Sequence, residues 1–586
     1  MELCDILNKY ESEKKFEFYN ISSDLNHLIE CDQESLALKA ESLAMAFSEG
    51  GYDDWGSFYG PTTTWTIKST GELVCMPDKK EITPEIIGYW TERISETQNS
   101  LLKMRYSGLV WDFCKIVTGK EPDFRNVKLV FIRSAYDVVK NDNVGHCIIG
   151  LSYMNVAIEK AISLKQKDLV RDGMQLLMDY VQCHTDDSKP GIWSLPLKLI
   201  CEHYLALSSF EKDIVKENEE RFERLYAKCK NKGNVTDSYA HVLIDEATLL
   251  ADYYRITKDS DEILSHLDKA LSGVRYSFAL RGAMWSQTML QQMQDLFRKY
   301  GFDKRANQLY IDIEKIGKKV FSEMTPTEYS IPIDRKALDE YLDNMIDGTI
   351  NEVLNNYAIE YMPKIKVEIE RQREESERAP LLDLVHTVIY DWSGMPISHI
   401  GSGANAEKNK LAYGVYRRML FNAFFMQIHI RKMEEKEIYT YENLLAKFKD
   451  SYLIADEQRA QFEKGIKAYF DADYLVACHL LVPMFESAIR KLAALSGIEV
   501  LSSNKDGGNE YKTFDVLLGK LRENKNIPED IFAYFQNLFT DKFGWNIRNL
   551  ISHGLLQSDA FNKTLGDRII HAFLTLSLIK IKPINM

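Results

Sequence analysis

Apolar residues recur every three to four positions over most of the chain, which predicts helices almost throughout. Between residues 126 and 320 this spacing returns in successive amphipathic segments, which we expect to pack as paired helices in an irregular α-solenoid. The clearest of these segments are residues 156–164, 169–181, 242–254, 289–300 and 306–316. They follow no strict period, so the pattern predicts an all-α fold without regular repeats.

Two short segments depart from the helical pattern. β-Branched residues at 63–68 and an apolar run at 72–75 flank a Ser-Thr-Gly turn, which predicts a small β-hairpin near residues 63–75. Residues 395–405 are rich in glycine but lack the Gly-Lys-Ser/Thr ending of a phosphate-binding loop, so we interpret them as an irregular turn.

These patterns suggest four regions. Residues 1–125 form an N-terminal helical region with the hairpin, and residues 126–320 form the solenoid-like region. Residues 321–455, interrupted by several prolines, form a helical connector. Residues 456–586 form a C-terminal helical domain.

The C-terminal region carries one helix with two distinct faces. Its apolar stripe consists of Leu480, Leu481, Met484, Phe485, Ala488, Ile489 and Leu492, with Pro483 expected to bend the helix. On another face His479, Glu486 and Arg490 follow at i, i+7 and i+11, a polar seam that could flank an active cleft. The simpler interpretation, which the spacing favours, is an ordinary Glu-Arg pair beside an incidental histidine. The last apolar helix, residues 561–581, has apolar residues on more than one side, which predicts burial in the domain or at an interface.

The composition is that of a globular protein of a reducing compartment. The chain has 586 residues, of which 45% are hydrophobic and 27% charged. Its nine cysteines lie singly, without a Cys-x-x-Cys pair, and its histidines are dispersed, so neither disulfides nor a metal site is indicated. An acidic N-terminus and the lack of a long apolar segment predict a cytoplasmic protein without a membrane span. No nucleotide- or metal-binding motif is present in the sequence, so we expect no cofactor.

The net charge of −14 argues against broad, non-specific binding of nucleic acids, which requires a basic surface. Residues 541–586 differ, because six basic residues there face three acidic ones, for a local charge of +3. A confined basic cleft could accept RNA in this segment, and a solvated helix face is an equally good interpretation.

The segment of residues 544–554 contains the residues with the clearest chemistry. Arg548 keeps its charge and can form two parallel bonds with a phosphate, while His553 can exchange a proton near neutral pH. Phosphodiester cleavage requires both functions. On an ideal helix, five residues turn through roughly 140°, so the two side chains point apart, whereas Asn549 and His553 share a face. The spacing alone favours a simpler interpretation, a last-turn histidine before a C-capping Gly554, beside a surface arginine.

The order Arg, polar residue, His resembles the motif of the ribonucleases of the HEPN superfamily (higher eukaryotes and prokaryotes nucleotide-binding). Residues 465–474 and 479–490, upstream of the motif, resemble one branch of that superfamily, a domain of formally unknown function. Bacterial proteins and the eukaryotic ER-membrane-associated RNA degradation protein share this domain. The resemblance covers residues 456–560, and residues 99–112 resemble the N-terminal part of the same proteins.

This resemblance implies a C-terminal helical bundle that cleaves RNA, with tRNA as a candidate, without a metal ion. The attacking group would be the RNA 2′-hydroxyl, and the products would carry 2′,3′-cyclic phosphate and 5′-hydroxyl ends. His553 would be the general acid or base, Arg548 would hold the phosphate and Asn549 would orient either. Asn546 and the three residues of the polar seam would support the site or contact RNA.

The resemblance further implies a homodimer with a composite active site, because HEPN ribonucleases generally work in pairs. By analogy the protein would be a bacterial toxin or antiphage effector, restrained by its N-terminal region and controlled by an antitoxin or a phage-derived trigger. Two alternatives remain open. The HEPN domain could be an inactive module that binds nucleotides or protein, or the chain could be a helical scaffold.

Overall fold

The computed structural model describes residues 2–29, 35–66, 72–185, 190–230, 239–325, 328, 330, 332–379, 387–391, 394–400, 406–503, 506–523 and 527–580. It is 74% helix and 6% strand, which confirms the predicted all-α class. The chain divides by its internal contacts into two compact units, residues 1–323 and residues 324–586. We call them unit 1 and unit 2.

Unit 1 is a succession of helices with two hairpins near its beginning. Its helices are α1 Leu3–Ser12, α2 Phe18–Ile29, α3 Leu36–Ala46, α4 Pro84–Glu96, α5 Ser100–Thr118, α6 Leu129–Lys140, α7 Cys147–Ser163, α8 Lys167–His184, α9 Pro190–Trp193, α10 Leu195–Glu202, α11 Tyr204–Leu207, α12 Glu211–Lys230, α13 Ala240–Thr257, α14 Ser260–Arg281, α15 Ala283–Lys299 and α16 Asp303–Glu323. Its strands are β1 Ser48–Tyr52, β2 Ser57–Gly60, β3 Thr63–Thr66 and β4 Leu73–Met76.

Helices that are neighbours in the sequence pack on one another through the second half of unit 1, with α12 to α16 forming consecutive pairs. The five amphipathic segments of the sequence lie in α7, α8, α13, α15 and α16, with residues 164 and 300 one position past the ends of α7 and α15, so their helical prediction is confirmed. Side chains that cap the first turn explain where several helices begin. The Asn99 amide oxygen, for example, accepts the backbone N–H groups of Leu101 and Leu102.

The predicted hairpin is present, with Thr63 opposite Met76 in an antiparallel pair of strands. The turn at 67–71 lies outside the described residues. The prediction of a single hairpin was wrong, because β1 pairs with β2, and unit 2 contains two further antiparallel pairs. The strand Pro396–Ile400 lies in the segment that we expected to be an irregular turn; residues 401–405 of that segment lie outside the described residues. These strands were not predicted because glycines in β1 and polar residues in the shortest strands interrupt the alternation of apolar and polar residues that is typical of a strand.

Unit 2 contains the helices of the candidate site. These are α17 Arg335–Met345, α18 Ile350–Glu360, α19 Ile365–Arg378, α20 Ala406–Glu435, α21 Tyr441–Phe448, α22 Arg459–Phe470, α23 Tyr474–Leu495, α24 Phe514–Glu523, α25 Glu529–Phe539, α26 Ile547–Ser552 and α27 Lys563–Ser577. Its strands are β5 Thr387–Tyr390, β6 Pro396–Ile400, β7 Leu501–Ser503 and β8 Asn509–Tyr511.

The core of unit 2 surrounds α23 and α27. The Phe485 ring of α23 stacks on Phe539 at 4.3 Å between ring centroids and meets Phe573 of α27 at 5.2 Å. All residues of α27 from 565 to 576 are buried, which confirms the predicted burial of the last apolar helix. Helix α23 continues through Pro483, which is exposed.

This core draws on both sides of residue 455, where the sequence placed a boundary. Arg568 of α27 is fully buried, and its guanidinium donates to the carbonyl oxygen of Tyr361 at 3.3 Å and to that of Met419 at 2.6 Å. The helices predicted as a connector therefore share one core with the C-terminal helices. None of the described helices is both long and apolar enough to cross a lipid bilayer.

Candidate functional site

The segment with the Arg-Asn-His motif begins in a tight turn between α25 and α26. The Trp545 backbone N–H donates to the Asn537 carbonyl oxygen at 2.8 Å, so the turn folds back onto α25. A Cβ atom at Gly544 would lie 2.1 Å from that oxygen, and only glycine fits there. Burial raises the pKa of Asp541, which opens the turn and accepts the Phe543 backbone N–H. This packing sets the direction in which α26 leaves the core.

Arg548 on the first turn of α26 is held by a carboxylate of another helix. Its Nε donates to Glu486 Oε2 on α23 at 3.0 Å. The other oxygen of Glu486 accepts Arg490 Nη2 at 2.9 Å. The three side chains are between 17% and 27% exposed, so they lie at the surface without being fully solvated. Two cations share one anion, which leaves this cluster with a net charge of +1.

Asn549 connects this cluster to the start of α26. Its amide oxygen accepts Arg548 Nη1 at 3.0 Å, and its amide nitrogen donates to Asn546 Oδ1 at 2.8 Å. Arg548 thus uses Nε and Nη1 within the protein, and its Nη2 makes no hydrogen bond to a described residue. The structure joins five predicted site residues in one network, in which Arg548 Nη2 is left for a ligand.

His553 ends α26 and is exposed to solvent. Its backbone N–H donates to the Asn549 carbonyl oxygen at 3.0 Å, and Gly554 follows with a φ of +66°. Within the described part of the chain, the His553 imidazole has no hydrogen-bond or ion-pair partner. Its ring is therefore free to act on a ligand, but it does not meet Arg548, as the angular offset along one helix predicts.

His479, the remaining residue of the predicted polar seam, does not join the network. Its ring stacks on Phe561 at 5.1 Å between centroids, and its Nδ1 lies 2.9 Å from the Leu475 carbonyl oxygen. The periodicity along α23 placed His479 near the face of Glu486, but the ring contacts the segment that precedes α27 instead.

Sequence reasoning missed Tyr511 on strand β8. The Arg490 guanidinium lies over its ring, 5.0 Å from the centroid, and the tyrosine is 67% exposed. An exposed aromatic ring beside a cation is a common platform for a nucleic acid base. The strand around Tyr511 is short and polar, so no periodic pattern in the sequence pointed to it.

Among the described residues, one group has the spacing of metal ligands, Glu159, Glu202 and His203 in unit 1. These residues are exposed or half-buried, and exposed acidic groups of this kind are common without an ion. The network around Arg548 offers a carboxylate that two arginines already occupy. Its donor set suits an anionic ligand.

The fold and this network define a helical protein with an arginine-rich, solvent-facing cluster next to an exposed histidine. Comparisons of the chain with protein-family models, with curated proteins and with solved structures found no match.

Proposed function

We propose that the protein is a metal-independent endoribonuclease of the HEPN type, which cleaves RNA at a site formed by Arg548, Asn549 and His553. The observation that carries the proposal is the state of Arg548. Glu486 and Asn549 fix two of its nitrogens, and Nη2 remains for a phosphate oxygen. A charged donor that is held in place before the ligand arrives loses little entropy on binding and stabilises developing charge.

The chemistry assigned to the site is attack of the RNA 2′-oxygen on the adjacent phosphorus, with loss of the 5′-oxygen. His553 accepts the 2′-hydroxyl proton or donates a proton to the leaving 5′-oxygen. The Arg548 guanidinium holds a non-bridging phosphate oxygen, and Asn549 keeps the guanidinium oriented. The products carry a 2′,3′-cyclic phosphate and a 5′-hydroxyl.

A homodimer suits this chemistry because Arg548 and His553 diverge along one short helix. In a pair of unit 2 domains, the partner's Arg548 can meet His553 across a composite site. The Tyr511 ring beside Arg490 supplies a surface on which a base next to the cleaved bond can stack, a contact worth ~1–3 kcal/mol in other single-strand binding proteins.

In this proposal residues 456–586 form a HEPN-like bundle within unit 2. The solenoid-like helices of unit 1 and the N-terminal part of the chain restrain the nuclease until a trigger arrives. The protein then acts in the cytoplasm as a toxin or antiphage effector, with tRNA as a candidate substrate and an antitoxin or a phage-derived component as the controlling partner.

The test is an RNA cleavage assay with purified full-length protein, total tRNA and excess EDTA. We expect cleavage by the wild type and by His146→Ala, in which an exposed histidine of unit 1 is removed, but not by His553→Ala. The fragments should carry cyclic phosphate and 5′-hydroxyl ends. Fragments with 5′-phosphates, or equal cleavage by His553→Ala, would refute the assigned mechanism.

A second candidate function is an inactive HEPN domain that binds a nucleotide or a protein. The ion pair between Arg548 and Glu486 supports it, because this pair and the C-capping Gly554 are also what a purely structural helix end would show. Failure of the wild type to cut, both as the full chain and in the presence of a candidate trigger, would favour this function. Equilibrium dialysis with a labelled nucleotide then tests it directly.

A further inference from the structure

Unit 1 contains a cavity of about 580 Å³ between α10, α13 and the short helix α9. This volume is in the range of pockets that enclose small organic ligands, 300–1,000 Å³. Apolar side chains of α13 and the Trp193 ring form much of its wall, and acidic residues form much of the remainder. The lining includes Trp193, Val242, Asp245, Glu246, Leu249 and Ile256.

Polar atoms with no partner mark one part of this cavity. Glu246 is 1% exposed, and its Oε1 has no hydrogen-bond partner among the described residues. The indole N–H of Trp193, which is 3% exposed and lines the same cavity, also lacks an acceptor there. Buried polar atoms without partners are costly, at about 1–3 kcal/mol each, and are rare in native proteins. Two of them in one cavity point to a polar group that binds there.

The other charges around the cavity are largely compensated. Lys198 Nζ lies 3.9 Å from Glu202 Oε1. Asp252 Oδ1 lies 3.3 Å from both Arg255 Nη2 and Lys299 Nζ.

Two lining residues, Glu246 and Asp245, form no ion pair with a described residue. Arg221 acts on Glu246 without forming an ion pair with it, and the Arg221 Nη2 donates to Glu217 Oε1 at 2.5 Å. Burial raises the pKa of Glu246 well above its usual value, while Arg221 lowers it and Asp245 raises it. Asp245, at the exposed edge of the cavity, makes no ion pair with a described residue. Neither carboxyl group has a cation within ion-pair distance among the described residues, and burial disfavours the charged form of Glu246 until a cation binds beside it.

We propose that this cavity binds a small organic monoamine, with its ammonium group at Glu246 and Asp245 and its apolar body against Val242, Leu249 and Ile256. An ammonium group supplies the donors that the Glu246 carboxylate lacks, and a positive charge offsets two carboxylates. A hydroxyl or carbonyl oxygen on the ligand would accept the Trp193 N–H.

Other ligand classes fit the cavity less well. An anion would meet the carboxyl groups of Glu246 and Asp245, neither of which forms an ion pair with a described residue, and this costs free energy in a poorly solvated site. A neutral hydrocarbon would leave Glu246 unpaired. A metal ion requires several ligand atoms close together, and the one group with such spacing in the described chain does not include Glu246 or Asp245. The inference does not rest on the proposed nuclease function.

The test is isothermal titration calorimetry of the full-length protein with three ligands of matched shape and different charge. These are 2-phenylethylamine, the neutral 2-phenylethanol and the anionic 3-phenylpropionate. Two further amines of other sizes, cyclohexylmethylamine and tryptamine, are titrated in the same way. We expect at least one amine to bind at least about tenfold more tightly than the neutral alcohol, the ratio that ~1.4 kcal/mol produces. The anion should bind most weakly.

The variants Glu246→Gln and Asp245→Asn test the location of the site. Each keeps the size of its side chain and removes its charge, so each should reduce the preference for the amine over the alcohol toward one. Glu314→Gln on α16, which removes a charge from an exposed side chain elsewhere in unit 1, is the matched control and should keep the wild-type preference. Circular dichroism and the thermal midpoint check that the variants fold.

Two results would overturn the proposal. One is an absence of binding by all three amines at millimolar concentration, which would leave the cavity a water-filled space. The other is an amine preference that survives both substitutions, which would place the binding site elsewhere on an acidic protein. If Glu246→Gln does not fold, Asp245→Asn decides the outcome alone, because its side chain lies at the exposed edge.

Discussion

Replacement of Glu486 by glutamine should loosen Arg548 without changing the size of the side chain. The carboxylate accepts Arg548 Nε at 3.0 Å and Arg490 Nη2 at 2.9 Å, and glutamine keeps one acceptor oxygen but no charge. Hydrogen bonds to charged groups contribute ~1.5–3 kcal/mol, and partial exposure of the arginines reduces that value. We therefore expect the free energy of unfolding to fall by about 1–2 kcal/mol.

The same substitution should lower RNA cleavage because the guanidinium no longer has a fixed position. Loss of orientation of one phosphate-binding group commonly costs ~10–100-fold in rate, so kcat/KM should fall by that order. Urea unfolding measures the first effect and initial cleavage rates measure the second. The stability measurement stands even if the protein has no nuclease activity.

A double-mutant cycle with Arg548→Gln separates the ion pair from other effects of the substitution. The coupling free energy between positions 486 and 548 should be about 1 kcal/mol. Asp471→Asn is the control, because it breaks an exposed ion pair with Lys467 in the same unit, and it should leave the unfolding midpoint unchanged. A coupling energy of zero, together with wild-type cleavage by Glu486→Gln, would refute the idea that Glu486 fixes Arg548.

Two further predictions concern the stability of unit 2. Gly544→Ala should destabilise the protein by at least about 2 kcal/mol, because the new Cβ would collide with the Asn537 carbonyl. The control is Gly519→Ala on the exposed side of α24, which should be neutral or slightly stabilising. Equal thermal midpoints for the two variants would contradict this prediction. Burial lowers the pKa of His429 to about 4, so the unfolded chain binds a proton at this histidine more readily than the folded chain does. The free energy of unfolding should therefore fall as the pH drops from about 6.5 to 4, by up to ~1.4 kcal/mol per pH unit for this group. Urea unfolding at pH 7 and pH 5 should show a smaller pH dependence in His429→Phe than in the wild type.

Features that depend on near neighbours in the sequence were predicted well. The stripe on α23 shows this, because Leu481, Phe485 and Ile489 are buried as the i,i+4 spacing indicated, while His479 and Glu486 lie outside the core. The capped helix end at His553 and Gly554 was also visible in the local sequence. Each of these features is set by side chains within one or two turns of helix.

The candidate site could be predicted only in part. The Arg-Asn-His spacing identified α26, and the divergence of Arg548 from His553 follows from helix geometry. The bond between Arg548 and Glu486 joins residues that are 62 positions apart, and no local pattern specifies it. The contact of Tyr511 with Arg490 and the stacking of His479 on Phe561 could not be predicted for the same reason, because each depends on how separate elements pack.

Amphipathic spacing and capping residues encoded the helices of this protein, because a helix forms from contacts between residues three and four positions apart. Packing of distant elements decided which charges meet at Arg548 and which helices share the core around α27. It also placed the Glu246 carboxyl in a cavity, where its Oε1 has no partner among the described residues. The free energy of a buried or paired charge depends on every group around it in three dimensions, and the chain order does not show that set of neighbours.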